Sequence, residues 1–143
     1  MLPRGITGFA GAREQPPVQD IRSFAALAYA VEREISGAVR LIDSDIVCRS
    51  FYSARIETRR GAVWLLGNAY HPYAAFADSL EPGRISFTDA PSVLSLEHTR
   101  VLTPAELYRP WSEAAGELGC AEMEQILYWK PHMVGEVIFN FWD

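Results

Sequence analysis

The sequence predicts an α+β fold: an antiparallel sheet of about four to six strands packed with an N-terminal helix and one or two C-terminal helices. Three observations predict it. Apolar residues recur at three- and four-residue spacing from Ile21 to Ile35. They alternate with polar residues from Ile46 to Thr58. They return to helical spacing behind the capping signal Thr103-Pro104-Ala105-Glu106.

Residues 1–17 hold Gly5, Gly8, Gly11, Pro3, Pro16 and Pro17, too many breakers for a helix or a central strand, and read as an irregular, flexible lead-in. The first helix then carries Ile21, Phe24, Ala28, Val31 and Ile35 on one face, with Asp20 placed to cap its start and Gly37 its end. Val39, Leu41 and Ile42 form a short strand. Asp43-Ser44-Asp45 has turn chemistry, because short polar side chains bond their own backbone. The alternation over 46–58 gives a half-buried strand, Arg59-Arg60-Gly61 closes a hairpin, and the apolar run Ala62–Leu66 suits a strand covered on both faces. Tyr73–Ala77 and Ile85–Phe87 follow as strands, bounded by turns at Glu81-Pro82-Gly83 and Asp89-Ala90-Pro91. Residues 93–101 read as extended or irregular. Thr103 and Glu106 start a helix that Pro110 kinks or splits. Met123, Ile126 and Leu127 keep helical spacing up to the stop Trp129-Lys130-Pro131, and the alternation of Val137, Phe139 and Phe141 predicts a final strand.

With 143 residues, 49% of them hydrophobic, the chain suits one domain with a substantial core, and four Trp, six Tyr and seven Phe supply large buried areas without disulfides. Cys48 and Cys120 are far apart and outside any Cys-x-x-Cys pair, so both read as small buried hydrophobes. No charged stretch leads into a long apolar run, and nothing approaches the roughly 20 apolar residues of a membrane span. The expected location is therefore the cytoplasm, with no membrane partner. A net charge of −5 weighs against nucleic acid, whose phosphates need clustered Lys and Arg, and is compatible with a basic partner or with plain solubility.

Catalytic and cofactor motifs are missing from this reading. The glycines of Gly5-Ile6-Thr7-Gly8-Phe9-Ala10-Gly11 match neither the dinucleotide fingerprint nor the P-loop. His71, His98 and His132 lie in separate segments without the i, i+4 neighbour that metal-binding helices use. No Gly-x-Ser-x-Gly elbow occurs. No recognisable motif therefore assigns a reaction, and no cofactor or metal is expected. Carboxylates do gather on predicted turns, at Asp43 and Asp45, at Asp78 and Glu81, and at Asp89. They suit solvated turns or the grip on a cationic partner. Arg55, Arg59 and Arg60 with Glu57 read as a solvated sheet face, and most aromatic rings coincide with core periodicity.

The ending Tyr128-Trp129-Lys130-Pro131-His132-Met133-Val134-Gly135-Glu136-Val137-Ile138-Phe139-Asn140-Phe141-Trp142-Asp143 resembles the C-terminal signature of small bacterial immunity proteins of polymorphic-toxin or contact-dependent growth inhibition systems. Leu66-Gly67-Asn68, Tyr70-His71-Pro72 and Ala75-Phe76 share that resemblance. It implies a non-enzymatic cytoplasmic protein that binds and neutralises a cognate toxin domain by occluding its active site. Asp43, Asp45, Asp78, Glu81 and Asp89 are the expected contacts to a basic toxin. The alternatives are a small enzyme or small-molecule-binding domain with a Tyr/His/Arg-lined pocket, and a structural assembly subunit. In the fold itself, Trp129, Phe139 and Trp142 are expected to close the core.

Overall fold

The computed structural model of the chain describes residues 2–141. Helix α1 (Ile21–Ile35) is followed by strands β1 (Ala38–Asp43), β2 (Phe51–Thr58), β3 (Gly61–Asn68), β4 (Tyr73–Glu81) and β5 (Arg84–Thr88). After an irregular stretch come the two-residue strand β6 (Arg100–Val101), helix α2 (Pro104–Leu107), a 3₁₀ turn at Trp111–Ala114, α3 (Cys120–Trp129) and α4 (Val134–Ile138). The α+β class and its helix–sheet–helix order are those the sequence predicts.

Strands β1 to β5 form an antiparallel meander in chain order, and β6 lies parallel to the start of β4. Alternation along the strands sends side chains to two separate cores. Tyr52, Ala54, Ile56, Val63, Leu65 and Phe76 meet Phe24, Ala28 and Val31 of α1 on one face. Phe51, Leu66, Ala75, Ala77 and Phe87 meet Leu2, Ile6, Leu107, Ile126 and the α4 segment on the other. A sheet covered on both faces explains why Ala62–Leu66 lacks polar alternation. Gly67 lets α1 approach, since a Cβ there would sit 2.6 Å from the Phe24 ring.

Several elements depart from the sequence reading. Strand β2 starts at Phe51 rather than Ile46, because Asp43 and Asp45 accept from the backbone N–H groups of Asp45 and Val47, both at 3.0 Å, and fold 43–47 into consecutive turns. α1 is closed by Ser36 in the left-handed conformation (φ 54°), one residue before Gly37. Pro110 does split the helix begun by the Thr103–Glu106 capping box, leaving one turn of α-helix and one of 3₁₀.

The expected last strand is the helix α4. Val134, Gly135, Val137 and Ile138 are all buried, and Phe139 behind them as well, so no inside-outside alternation exists for a strand to use. Gly135 permits this packing: a Cβ there would lie 2.4 Å from the Phe87 ring and 3.2 Å from the Leu107 carbonyl oxygen. Trp142 lies outside the described residues.

The lead-in is irregular, as expected, yet it is pinned rather than loose. Leu2, Ile6 and Thr7 are buried, and Leu2 exchanges backbone hydrogen bonds with Ala114 and Glu117. Glu122, 1% exposed on α3, accepts from the backbone N–H groups of Gly5, Thr7 and Gly119 and from the Thr7 hydroxyl, at 2.7 to 3.1 Å. Four hydrogen-bond donors and the first turn of a helix thus surround this buried side chain. Both cysteines are exposed rather than buried: Cys48 falls in the turn-rich loop and Cys120 opens α3.

Phe139 meets Phe51 and Phe87 with ring centroids 5.9 Å away in each case. Deleting residues 139–143 should therefore abolish the cooperative transition in a circular-dichroism melt; a cooperative melt near the parent temperature would contradict this packing. Gly135→Ala should cost about 1–3 kcal/mol from overpacking against Phe87, read from the denaturant midpoint, and an unchanged midpoint would count against it.

Candidate functional site

The five carboxylates expected to form one contact surface do not come together. Asp43 ends β1, and Asp45 lies just beyond it. Asp89 follows β5 at the opposite edge of the sheet, four inter-strand steps of about 4.8 Å away. Asp78 and Glu81 lie in β4 rather than in turns, toward its far end, with Asp78 at the irregularity between Ala77 and Ser79. Asp43 is also engaged: Arg49 reaches its carboxylate at 3.0 Å and its carbonyl at 3.1 Å, while stacking its guanidinium over Phe51.

Two hollows carry the remaining candidates, and both depend on Asn68. This buried amide uses all of its hydrogen-bonding capacity. Its nitrogen donates to the carbonyls of Ile6 (2.9 Å) and Ile138 (2.7 Å), and its oxygen accepts from the N–H groups of Tyr70 and His71 (2.9 Å each). Ser50 completes the junction, donating its hydroxyl to the Ile138 carbonyl and accepting from the Asn140 N–H, both at 2.9 Å. The two segments that carry the sequence resemblance, around Asn68 and around Ile138, thus meet at one polar joint.

The first hollow is a groove of about 540 Å³ between the β4–β5 hairpin and the α3–α4 segment. Ile85, Trp129, Met133 and Phe141 supply apolar surface, with Arg84, Lys130, His132 and Glu136 around them. Beside the groove on α3, the Tyr128 ring stands edge-on to Trp129 at 5.2 Å. Tyr128 is 74% exposed and Leu127 67% exposed, so Leu127, which its spacing assigns to the core, faces outward. Lys130 ends α3 at φ 54°, a left-handed position usually given to glycine. It is the one lysine of the chain. Neither Lys130 nor Arg84 makes an ion pair with a described residue.

The second hollow, about 470 Å³, lies between α1 and the 95–99 loop. Phe24 and Leu27 line it together with Tyr52, Tyr73, His71 and His98. The His71 ring is oriented from both ends: its backbone N–H is held by Asn68, and its Nε2 lies 2.8 Å from the Arg4 carbonyl. A carbonyl only accepts, so the Nε2–H of His71 is the donor in this contact. His98 sits at φ 61°, a conformation that is costly for a residue with a Cβ. Burial raises the phenols of Tyr52 and Tyr70 above their ordinary range, so both remain protonated at neutral pH, and Tyr52 donates to the Gln19 carbonyl at 2.9 Å. Among the described residues, no three His, Cys, Asp or Glu side chains gather into a metal-binding group. No helix among them is long and apolar enough to cross a membrane.

Sequence spacing did not single out Lys130, Arg84, Leu127 or Tyr128 as surface candidates. The signal that could have found one of them is the uniqueness of Lys130 within Trp129-Lys130-Pro131. Comparison of the chain with protein-family profiles, characterised proteins and solved structures gives no match.

Asn68→Ala leaves several buried polar groups without a partner and should lower stability by about 2–4 kcal/mol, somewhat above the cost of one lost buried partner. Amide resonances should move at both His71 and Asn140, on the two sides of the joint; a shift confined to residues 67–71 would show that the joint does not couple them.

Proposed function

We propose that this chain is an immunity protein that binds a cognate toxin domain in the cytoplasm and neutralises it by occlusion, without catalysis of its own. The observation that carries the reading is that the resemblance-bearing segment 128–141 forms one wall of an open groove and continues into exposed Tyr128. Ring-bearing side chains of this kind supply most of the energy at protein interfaces. The five dispersed carboxylates fit long-range attraction of a basic partner better than a single contact rim, because attraction depends on summed charge. Co-expression with the neighbouring reading frame tests it: rescue of growth together with co-purification is the expected result, and rescue failing with no complex formed would overturn it.

A second reading, a small-molecule-binding or catalytic domain, is favoured by the convergence of His71 and His98 on one partly apolar hollow. There the His71 ring is held through Nε2 by the Arg4 carbonyl, which leaves Nδ1 as its other polar atom. Ligand-observed NMR against a set of aromatic acids and amides should give binders whose signals vanish with His71→Ala or His98→Ala. If no binder depends on either histidine, this reading falls.

A further inference from the structure

The groove carries a charge character that the chain as a whole does not. The protein is net negative, yet the two full cations on the groove, Arg84 on the hairpin and Lys130 at the end of α3, have no ion-pair partner among the described residues. Glu136 also faces the groove, but its carboxylate is engaged by the backbone N–H of His132 at 2.5 Å. Between these groups lie Ile85, Trp129, Met133 and Phe141, an apolar floor within the volume range of sites that take up whole side chains.

Lys130 makes the strongest case. A left-handed residue is needed to end α3 before Pro131, and glycine meets that need without the steric cost a side chain brings. Here a lysine stands instead, the only one in the chain, with its side chain at the groove. The helix dipole favours a cation at this end of α3, but no described carboxylate pairs with the ammonium group, which stands at the groove.

Resting on the immunity reading for the identity of the partner, we infer that the groove is the docking site for an acidic segment of the neutralised protein. One large apolar or aromatic side chain of that segment seats against Trp129 and Met133, and its flanking carboxylates meet Lys130 and Arg84. A partner that is basic overall is drawn in by the net charge, and its anchor is an acidic segment that meets the two cations beside the apolar floor. Attraction and anchoring are thus separate tasks, and the groove performs the second.

Two measurements test this. The first needs no toxin: the full chain is titrated with the peptide Asp-Glu-Trp-Glu-Asp and with Lys-Lys-Trp-Lys-Lys, followed by amide and side-chain NMR. The acidic peptide should perturb Ile85, Lys130 and Met133 selectively, with the effect lost in the double variant Arg84→Glu/Lys130→Glu. Equal response to both peptides, no response, or peptide exclusion by self-association through the groove would overturn the inference.

The second uses the purified complex with the toxin domain. Lys130→Gly removes the ammonium and relieves the left-handed strain. It should leave the unfolding midpoint unchanged or raise it by up to about 3 °C, while weakening toxin binding at least tenfold. Binding unchanged in this variant and in the double charge reversal would place the toxin elsewhere on the surface and sink the groove assignment, with the immunity reading intact. A toxin that the parent protein does not bind would sink that reading instead, and the peptide titration would still decide the groove.

Discussion

The architecture depends on one buried amide. Asn68 ends β3, and its side chain reaches backbone in three directions at once: to the lead-in at Ile6, to the following loop at Tyr70 and His71, and to α4 at Ile138. A side chain with two donors and an acceptor oxygen of two lone pairs is the smallest group able to do this. Unmet, any of these backbone groups would carry a desolvation cost comparable to a typical mutation's whole effect. The groove wall and the His71 ring therefore share a support, although they lie on different hollows.

The joint stands among positions that packing constrains tightly: Gly67 by Phe24, Gly135 by Phe87, Asn68 by its four bonds. Lys130 and Tyr128, close to them in sequence, are exposed instead.

Much of the fold was legible because its signals are local. The Asp20 cap, the period of α1 and the Thr103–Glu106 box each act within a few residues, and each stands where expected, whereas β2 begins five residues late and is buried on both faces over its first half. The last strand failed because three alternating apolar residues fit either period, and only long-range contacts to Ser50, Asn68 and Phe87 select the helix. The lead-in looked loose because glycine and proline signal irregular backbone, which it has; its anchoring by Glu122 spans more than a hundred residues and leaves no local trace. The site was less legible still. Carboxylates cluster in sequence but not in space, and a groove made from a hairpin and two distant helices has no spacing to read.

The reach of these contacts has a consequence for how the protein comes into being. Gly5 and Thr7 find their acceptor only when Glu122 exists, and Asn68 completes its set only when Ile138 has been made. Such non-local closure slows folding. On a ribosome the meander can form early, but the sheet face that Phe139 and Ile126 cover stays exposed until residues 126–139 emerge. The same residues that close this core thus set how long a nascent sheet face stands open to water and to other chains.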